Sequence, residues 1–341
     1  MSESAFVPYP KIPERAALSR SAVHRWAATE KVHGAHLALV CEDGGGVRAA
    51  KRRGLLAGDA LDGFFGLARI WPALAVSARR AAGALREEYR APGRVVLYGE
   101  LFGGRYPHPR VAPAEGVPAV QTGVWYAPDL HWSAFDAVVE ADGGPRWVGD
   151  AALRRAAGAA GLCCAPLLAE GPLVRLQELP AVFPSRVPAL FGLPPLAGNL
   201  AEGYVLKPAG DVPVAAGRPV LKVKQAGFAE DARYAGARPY TVPPGGAAGV
   251  PGWLVEQAAA LLTPARAASA VSKLGPAAAP ADLAAELARD AVEDLADRLG
   301  GLPAAQAARL AGCLHGAAQE LARLDACDRT ASPRTASPRT A

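Results

Sequence analysis

The chain runs to 341 residues, 51% of them hydrophobic and 20% charged, with a formal net charge of +5. That balance excludes a chain disordered throughout and leaves room for two domains of ordinary size. No run reaches the roughly 18–20 apolar residues that cross a bilayer, and the opening MSESAFVPYPKIPER lacks the apolar core of a secretory signal, so a cytoplasmic protein with no membrane partner is expected.

In chain order, His36 to Cys41 reads as a strand, Phe64 to Glu88 as a helix, Arg94 to Phe102 and Trp132 to Glu140 as strands, and Asp150 to Ala160 as a second helix. Gly203 to Lys207 and Val220 to Lys224 close this part as two further strands. The strands cluster instead of alternating with helices, which predicts an α+β class and not a doubly wound sheet. Between Tyr234 and Gly252 the chain is too dense in Pro and Gly for regular structure. Beyond it, Trp253 to Leu262, Ala281 to Leu299 and Pro303 to Leu324 repeat apolar residues at helical spacing. The end carries a direct SPRTA repeat, polar and broken by Pro. The expected organisation is a domain over 1–232, a linker over 233–252, a small all-α domain over 253–326 and a disordered tail over 327–341.

Of the 37 basic residues only seven are Lys (Lys11, Lys31, Lys51, Lys207, Lys222, Lys224 and Lys273), so the other 30 are Arg. A lysine kept against such a bias hints at chemistry closed to a guanidinium, because an amine can lose a proton and attack. The pI near 9.0 raises the expectation of a polyanionic partner. Five cysteines at irregular spacing support neither a disulfide framework nor a CxxC zinc site and fit a reducing compartment.

The informative segment is Thr29-Glu30-Lys31-Val32-His33-Gly34-Ala35. A lone KxxG carries almost no information. Its context does: LYGELFGGRYP (Leu97 to Pro107), WSAFDAVV (Trp132 to Val139), AEGYVLKP (Ala201 to Pro208) and LKVKQAGFAE (Leu221 to Glu230) follow in order. Lys222 and Lys224, two apart in a strand, project from one face and can meet a polyphosphate together. Gly34 allows close backbone approach beside a phosphate.

Together these segments resemble the ordered motifs of the covalent nucleotidyltransferases, and most nearly the RNA ligase 2 family, the branch with phage double-stranded-RNA ligase and the RNA-editing ligases. AKRRGLL (Ala50 to Leu56), FFG (Phe64 to Gly66), CAPLL (Cys164 to Leu168) and AVSKLG (Ala270 to Gly275) also look like that family. The resemblance implies an ATP-grasp-like adenylylation domain of antiparallel sheets with flanking helices, then a helical C-terminal domain where capping enzymes and DNA ligases usually carry a β-barrel.

It further implies the roles of individual residues. Lys31 would attack the α-phosphate of ATP and carry AMP, with Lys222 and Lys224 on the phosphates and Glu30 and Gly34 beside the nucleotide. Glu100 would accept from a ribose hydroxyl, and Phe135 would stack on adenine, a contact worth about 1–3 kcal/mol. Glu202 and Asp136 would hold Mg²⁺ (or Mn²⁺), for which carboxylate oxygens are suited. Arg52 would contact the nucleotide or the RNA end. His33 would serve steps after lysine adenylylation, and Arg266 and Lys273 would grip RNA. Ala35-His36 departs from the Thr-Asn typical of the family, which bears on sugar or end preference.

The implied reaction joins 3′-hydroxyl and 5′-phosphate RNA ends, in a nicked duplex, by a monomer. A DNA ligase or a GTP-using capping enzyme is the alternative within the same chemistry, and a non-catalytic RNA-binding module the alternative outside it.

Overall fold

The computed structural model describes residues 8–10, 12, 23–52, 54–121, 123–225 and 249–331. Two compact units divide the chain, residues 1–227 and 228–341. The first is built on two sheets. Strands β1 (Trp26–Glu30), β9 (Leu167–Gly171), β10 (Gly203–Pro208) and β12 (Leu221–Lys224) form a four-stranded antiparallel sheet in the order β12-β10-β1-β9. All five residues of β1 are buried, as befits a strand with neighbours on both edges. Such a strand shows no polar alternation, which is why the sequence pattern did not mark it.

The second sheet takes β2 (Ala35–Cys41), β3 (Val47–Lys51), β4 (Gly54–Leu55), β5 (Val95–Arg105), β6 (Ala127–Ala141), β7 (Gly144–Trp147), β8 (Cys163–Cys164) and β11 (Val212–Pro213). Its order is β11-β7-β6-β5-β2-β3-β4, antiparallel throughout, with β8 joining β6 in parallel. Tyr9, Ala38, Val40, Ala50, Val96, Tyr98, Val138 and Trp147 form a core on one face. The amphipathic helix α1 (Trp71–Tyr89), which buries Leu74, Ala78, Ala81, Ala82 and Leu85, packs against β2 and β5. The second sizeable helix is α2 (Asp150–Ala159), and the short α3 (Leu173–Leu176) and α4 (Val187–Leu190) follow.

The helix expected from Phe64 begins only at Trp71. Phe65 and Gly66 stand at φ 56° and 70°, a left-handed pair that no α-helix accommodates, and Pro72 then sits in the first turn, where its missing N–H costs nothing.

The second unit is helical: α5 (Gly252–Ala259), α6 (Pro264–Leu274), α7 (Pro280–Arg298) and α8 (Ala304–Ala331). Helix α6 starts where the Thr263 hydroxyl accepts from the Arg266 N–H, and stops at Gly275 with φ 96°. Leu283, Leu287, Ala291 and Leu295 of α7 supply its buried stripe. Residues 233–248 of the expected linker and 332–341 of the expected tail lie outside the described residues, while 327–331, expected in the disordered tail, instead continue α8. Among the described residues, no helix is long and apolar enough to cross a membrane.

Candidate active site

Lys31 directly follows β1, and its backbone N–H donates to the Gly203 carbonyl at 2.9 Å. That extension of the β1–β10 ladder brings Lys31 beside Glu202, the residue before β10. The Lys31 Nζ donates to Glu202 Oε2 at 2.6 Å, and Lys224 Nζ lies 3.3 Å from the other carboxylate oxygen. Lys224 faces Gly203 across the β10–β12 pair, and Lys222 faces Val205 two residues away on the same side of the strand. His33 Nδ1 stands 3.4 Å from Glu202 Oε2, while its backbone N–H donates to the Tyr126 hydroxyl.

Burial by itself would push the Glu202 carboxyl upward, but the Lys31 and Lys224 ammonium groups overcome it and hold its pKa well below the usual range. Glu100 shows the opposite outcome. Its burial dominates, Lys31 offsets part of it, Glu202 adds repulsion, and the carboxyl is pushed up to about 8. Two neighbouring carboxyl groups thus differ in charge at neutral pH: Glu202 is an anion and Glu100 holds a proton.

Gly34 makes this proximity possible. A Cβ there would lie 2.1 Å from the Leu101 carbonyl oxygen and 3.1 Å from Glu100 Cγ, so only glycine lets the Lys31 loop lie flat on β5. Its N–H is also a hydrogen-bond partner of Glu100. Arg52, half-buried after β3, is near enough to affect both Glu100 and His36. His36 pairs with Glu100 across β2 and β5, and burial lowers its pKa to about 3.

Phe135 occupies a β-bulge. Tyr98 pairs with Asp136 but Gly99 with Ala134, which leaves Phe135 as the extra residue. Its half-buried ring meets Tyr9 edge-on at 5.1 Å and His36 at 5.9 Å. The Phe135 carbonyl accepts from Lys207 Nζ, and the Ala134 carbonyl accepts from the Ala165 N–H at 2.8 Å.

Four expected roles are corrected. Asp136 has no exposed surface, and its oxygens are taken by the Arg218 guanidinium and the Tyr9 hydroxyl, so it is a buried anchor and not a metal ligand. Glu30 is 1% exposed and accepts from the Ser185 hydroxyl and the Arg186 N–H, so its carboxylate braces that turn instead of touching a nucleotide. Arg266 is 1% exposed and bound to Leu261 O, Asp290 and Asp294. Lys273 pairs with Asp290 and Glu286. Neither of these two cations presents an RNA-gripping surface.

Tyr9, Tyr126, Lys207 and Arg218 escaped the sequence reading as parts of the site. Lys207 and Arg218 stood inside or beside quoted motifs, and a buried charge so placed was the available signal. Tyr9 and Tyr126 gave none.

The residues fit a nucleotide triphosphate with its divalent ion: lysines line one side, and Glu202 offers hard oxygen of the kind that joins phosphates around magnesium. Among the described residues no group of three or more His, Cys, Asp or Glu forms a metal cage, so such an ion would depend on the phosphates.

Fold and site together define a two-sheet α+β protein with a lysine-centred polar site. The family model described as RNA ligase matches residues 24–224, more than half of the chain, and the chain belongs to the RNA ligase family. It is similar to the mitochondrial RNA-editing ligase 2 of Trypanosoma brucei brucei (36% identical over 202 residues, 53% of this chain and 48% of that one). It is also similar to RNA-editing ligase 1 of the same organism (32% over 213 residues, 54% and 45%). The chain thus spans about half the length of the curated relatives it matches. Among solved structures, an archaeal ATP-dependent RNA ligase is 18% identical with a TM-score of 0.39, covering 67% of this chain and 51% of that one. A Naegleria gruberi RNA ligase mutant with ATP and Mn is 13% identical with a TM-score of 0.43, covering 65% and 57%.

Proposed function

We propose that this chain is an ATP-dependent RNA ligase that carries AMP on Lys31 and seals nicks in duplex RNA as a monomer in a reducing, cytoplasmic setting. The observation that carries the reading is the Lys31–Glu202–Lys224 cluster, formed by the ends of three adjoining strands. Lys31 first releases its ammonium proton to solvent; its nitrogen lone pair then forms a bond to the α-phosphorus, the bond from that phosphorus to the bridging oxygen breaks, and pyrophosphate leaves with the electron pair. Glu202, held far into its anionic form, is a weak base, so its part is to fix Nζ and not to keep its proton. Lys222 and Lys224 stabilise charge on the departing phosphates, the main electrostatic demand of such a transfer. A divalent ion brought with ATP would neutralise phosphate charge, and Glu202 is the carboxylate placed to contribute an oxygen to it. AMP then passes to an RNA 5′-phosphate, and a 3′-hydroxyl displaces it to form the phosphodiester.

Support comes from family membership, from the names of the relatives and from the site geometry. Intact mass spectrometry after incubation with ATP and Mg²⁺ should show one added adenylate, lost on Lys31→Ala; an adduct that survives this substitution sinks the reading. Labelled nicked RNA and DNA duplexes, each with ATP or GTP, then test the substrate: sealing is expected for RNA with ATP.

A further inference from the structure

The two sheets divide the candidate site residues between them. The four-stranded sheet carries Lys31, Glu202, Lys222 and Lys224, while the larger sheet carries Glu100 and Phe135. Adenylylation needs the two halves in register, because a misplacement of 1 Å can cost about 10²-fold in rate. One side chain joins them at the critical point. Lys207, near the end of β10 and only 2% exposed, leaves its own sheet and donates to the carbonyl of Phe135, the extra residue of the β6 bulge.

A bulge leaves backbone groups without ladder partners, and buried carbonyls need donors from elsewhere. Here they come from a closed circuit. Lys207 Nζ lies 2.9 Å from Asp150 Oδ1, and Asp150 Oδ2 accepts from Arg154 at 2.6 Å. Arg154 donates to the Ala165 carbonyl at 2.8 Å, and the Ala165 N–H returns to the Ala134 carbonyl, next to Phe135. Asp150 is itself pinned, because its N–H donates to Ala209 O just beyond β10. Both Lys207 and Asp150 are almost wholly buried, so the pair is shielded from water and from salt.

We infer that Lys207, held by Asp150, is a positioning residue that sets the Phe135 platform against Lys31 by bracing the β6 bulge from the opposite sheet. This rests on the reading of Lys31 as the AMP acceptor. Lys207 does not touch the reacting atoms. It transmits the position of β10, which also begins beside Glu202, to Phe135.

The test uses the full chain and measures lysyl-AMP formation against ATP concentration, well below every melting temperature. Lys207→Met keeps the stem and removes the donors; it should slow adenylylation by about 10- to 100-fold. Lys207→Arg should recover most of that loss, and Asp150→Asn should reproduce it in part. Leu206→Ala, a cavity in the core beside the same strand, serves as a stability control and should stay near the wild-type rate at a comparable loss of Tm. Inhibition by inorganic tripolyphosphate, which needs only the lysine face, should match the wild type in Lys207→Met. The inference is overturned if Lys207→Met adenylylates normally, if Leu206→Ala is equally slow at matched Tm, or if tripolyphosphate inhibition weakens in step. Should Lys207→Met fail to fold, a wild-type rate in Asp150→Asn overturns it as well. Absence of any adduct on the wild-type protein would instead sink the parent reading.

Discussion

Two clusters of buried charge stand in this molecule, and they are built to opposite ends. In the helical unit, Arg266 gives its side-chain donors to Leu261 O, Asp290 and Asp294, and Lys273 pairs with Asp290 and Glu286. Every charge there is matched, and Asp290 is held below its ordinary range by Lys273 and Arg266 against the cost of its burial. In the two-sheet unit the cluster is unbalanced: Glu202 is pulled down by Lys31 and Lys224, while Glu100, half-buried beside them, is pushed up to about 8. A saturated cluster stabilises a fold. One whose carboxyl groups disagree in charge is poised for a ligand that brings charge of its own.

Substitutions can break or sharpen this contrast. The largest effect is expected at Lys31: Lys31→Arg should abolish the adenylate adduct while leaving the melting temperature close to wild type, since arginine keeps the charge but cannot attack. Any adduct on that variant would remove the distinction between the clusters. Arg266→Met should do the reverse, lowering stability by about 3–5 kcal/mol through the acids it strands, with adenylylation unaffected below the transition. Chemical denaturation beside an adduct assay checks this, and a stable but inactive variant would reassign Arg266. Next in size is Phe135→Ala, expected to weaken ATP binding by about 1–3 kcal/mol with little change for tripolyphosphate. Equal losses for both compounds would argue against stacking.

The effect of pH is the most diagnostic, because it should move the clusters in opposite senses. Asp290 has a folded pKa below its ordinary 3.8, so its stabilising contribution is present above that pH and is lost as pH falls through the folded value. Glu100 has a folded value of about 8 against an ordinary 4.5. The folded protein keeps a proton that the unfolded chain has released, so stability is full below 4.5 and declines as pH rises toward 8. Glu100→Gln should therefore be near neutral at pH 4 and increasingly stabilising up to pH 8, read as a difference in Tm. A difference that stays flat with pH would sink the assignment.

The sequence made much of this legible because the chemistry is written in short local runs. Lys31, Gly34, Glu100, Glu202, Lys222 and Lys224 each stand in a motif a few residues long, and the strands that carry most of them were visible as apolar runs. What stayed hidden depends on distant partners. Nothing local to Asp136 announces that Arg218 and Tyr9 will take its oxygens, and nothing in AVSKLG tells that Lys273 faces acids on α7. Arg266 read as a cation for RNA, yet the same local sequence starts a helix whose inner side is charged and sealed. Helix α6 is absent from the helices read off the sequence, although Thr263 caps its start, Pro264 stands in its first turn and Gly275 ends it.

The pairing of β1 has a consequence for the making of the protein. Its partners are β9 and β10, and Glu202 lies 171 residues after Lys31. Contacts so far apart along the chain form slowly and late. During synthesis Lys31 therefore emerges from the ribosome as an ordinary solvated lysine, and it gains its setting only when the strands beyond residue 200 arrive to enclose it.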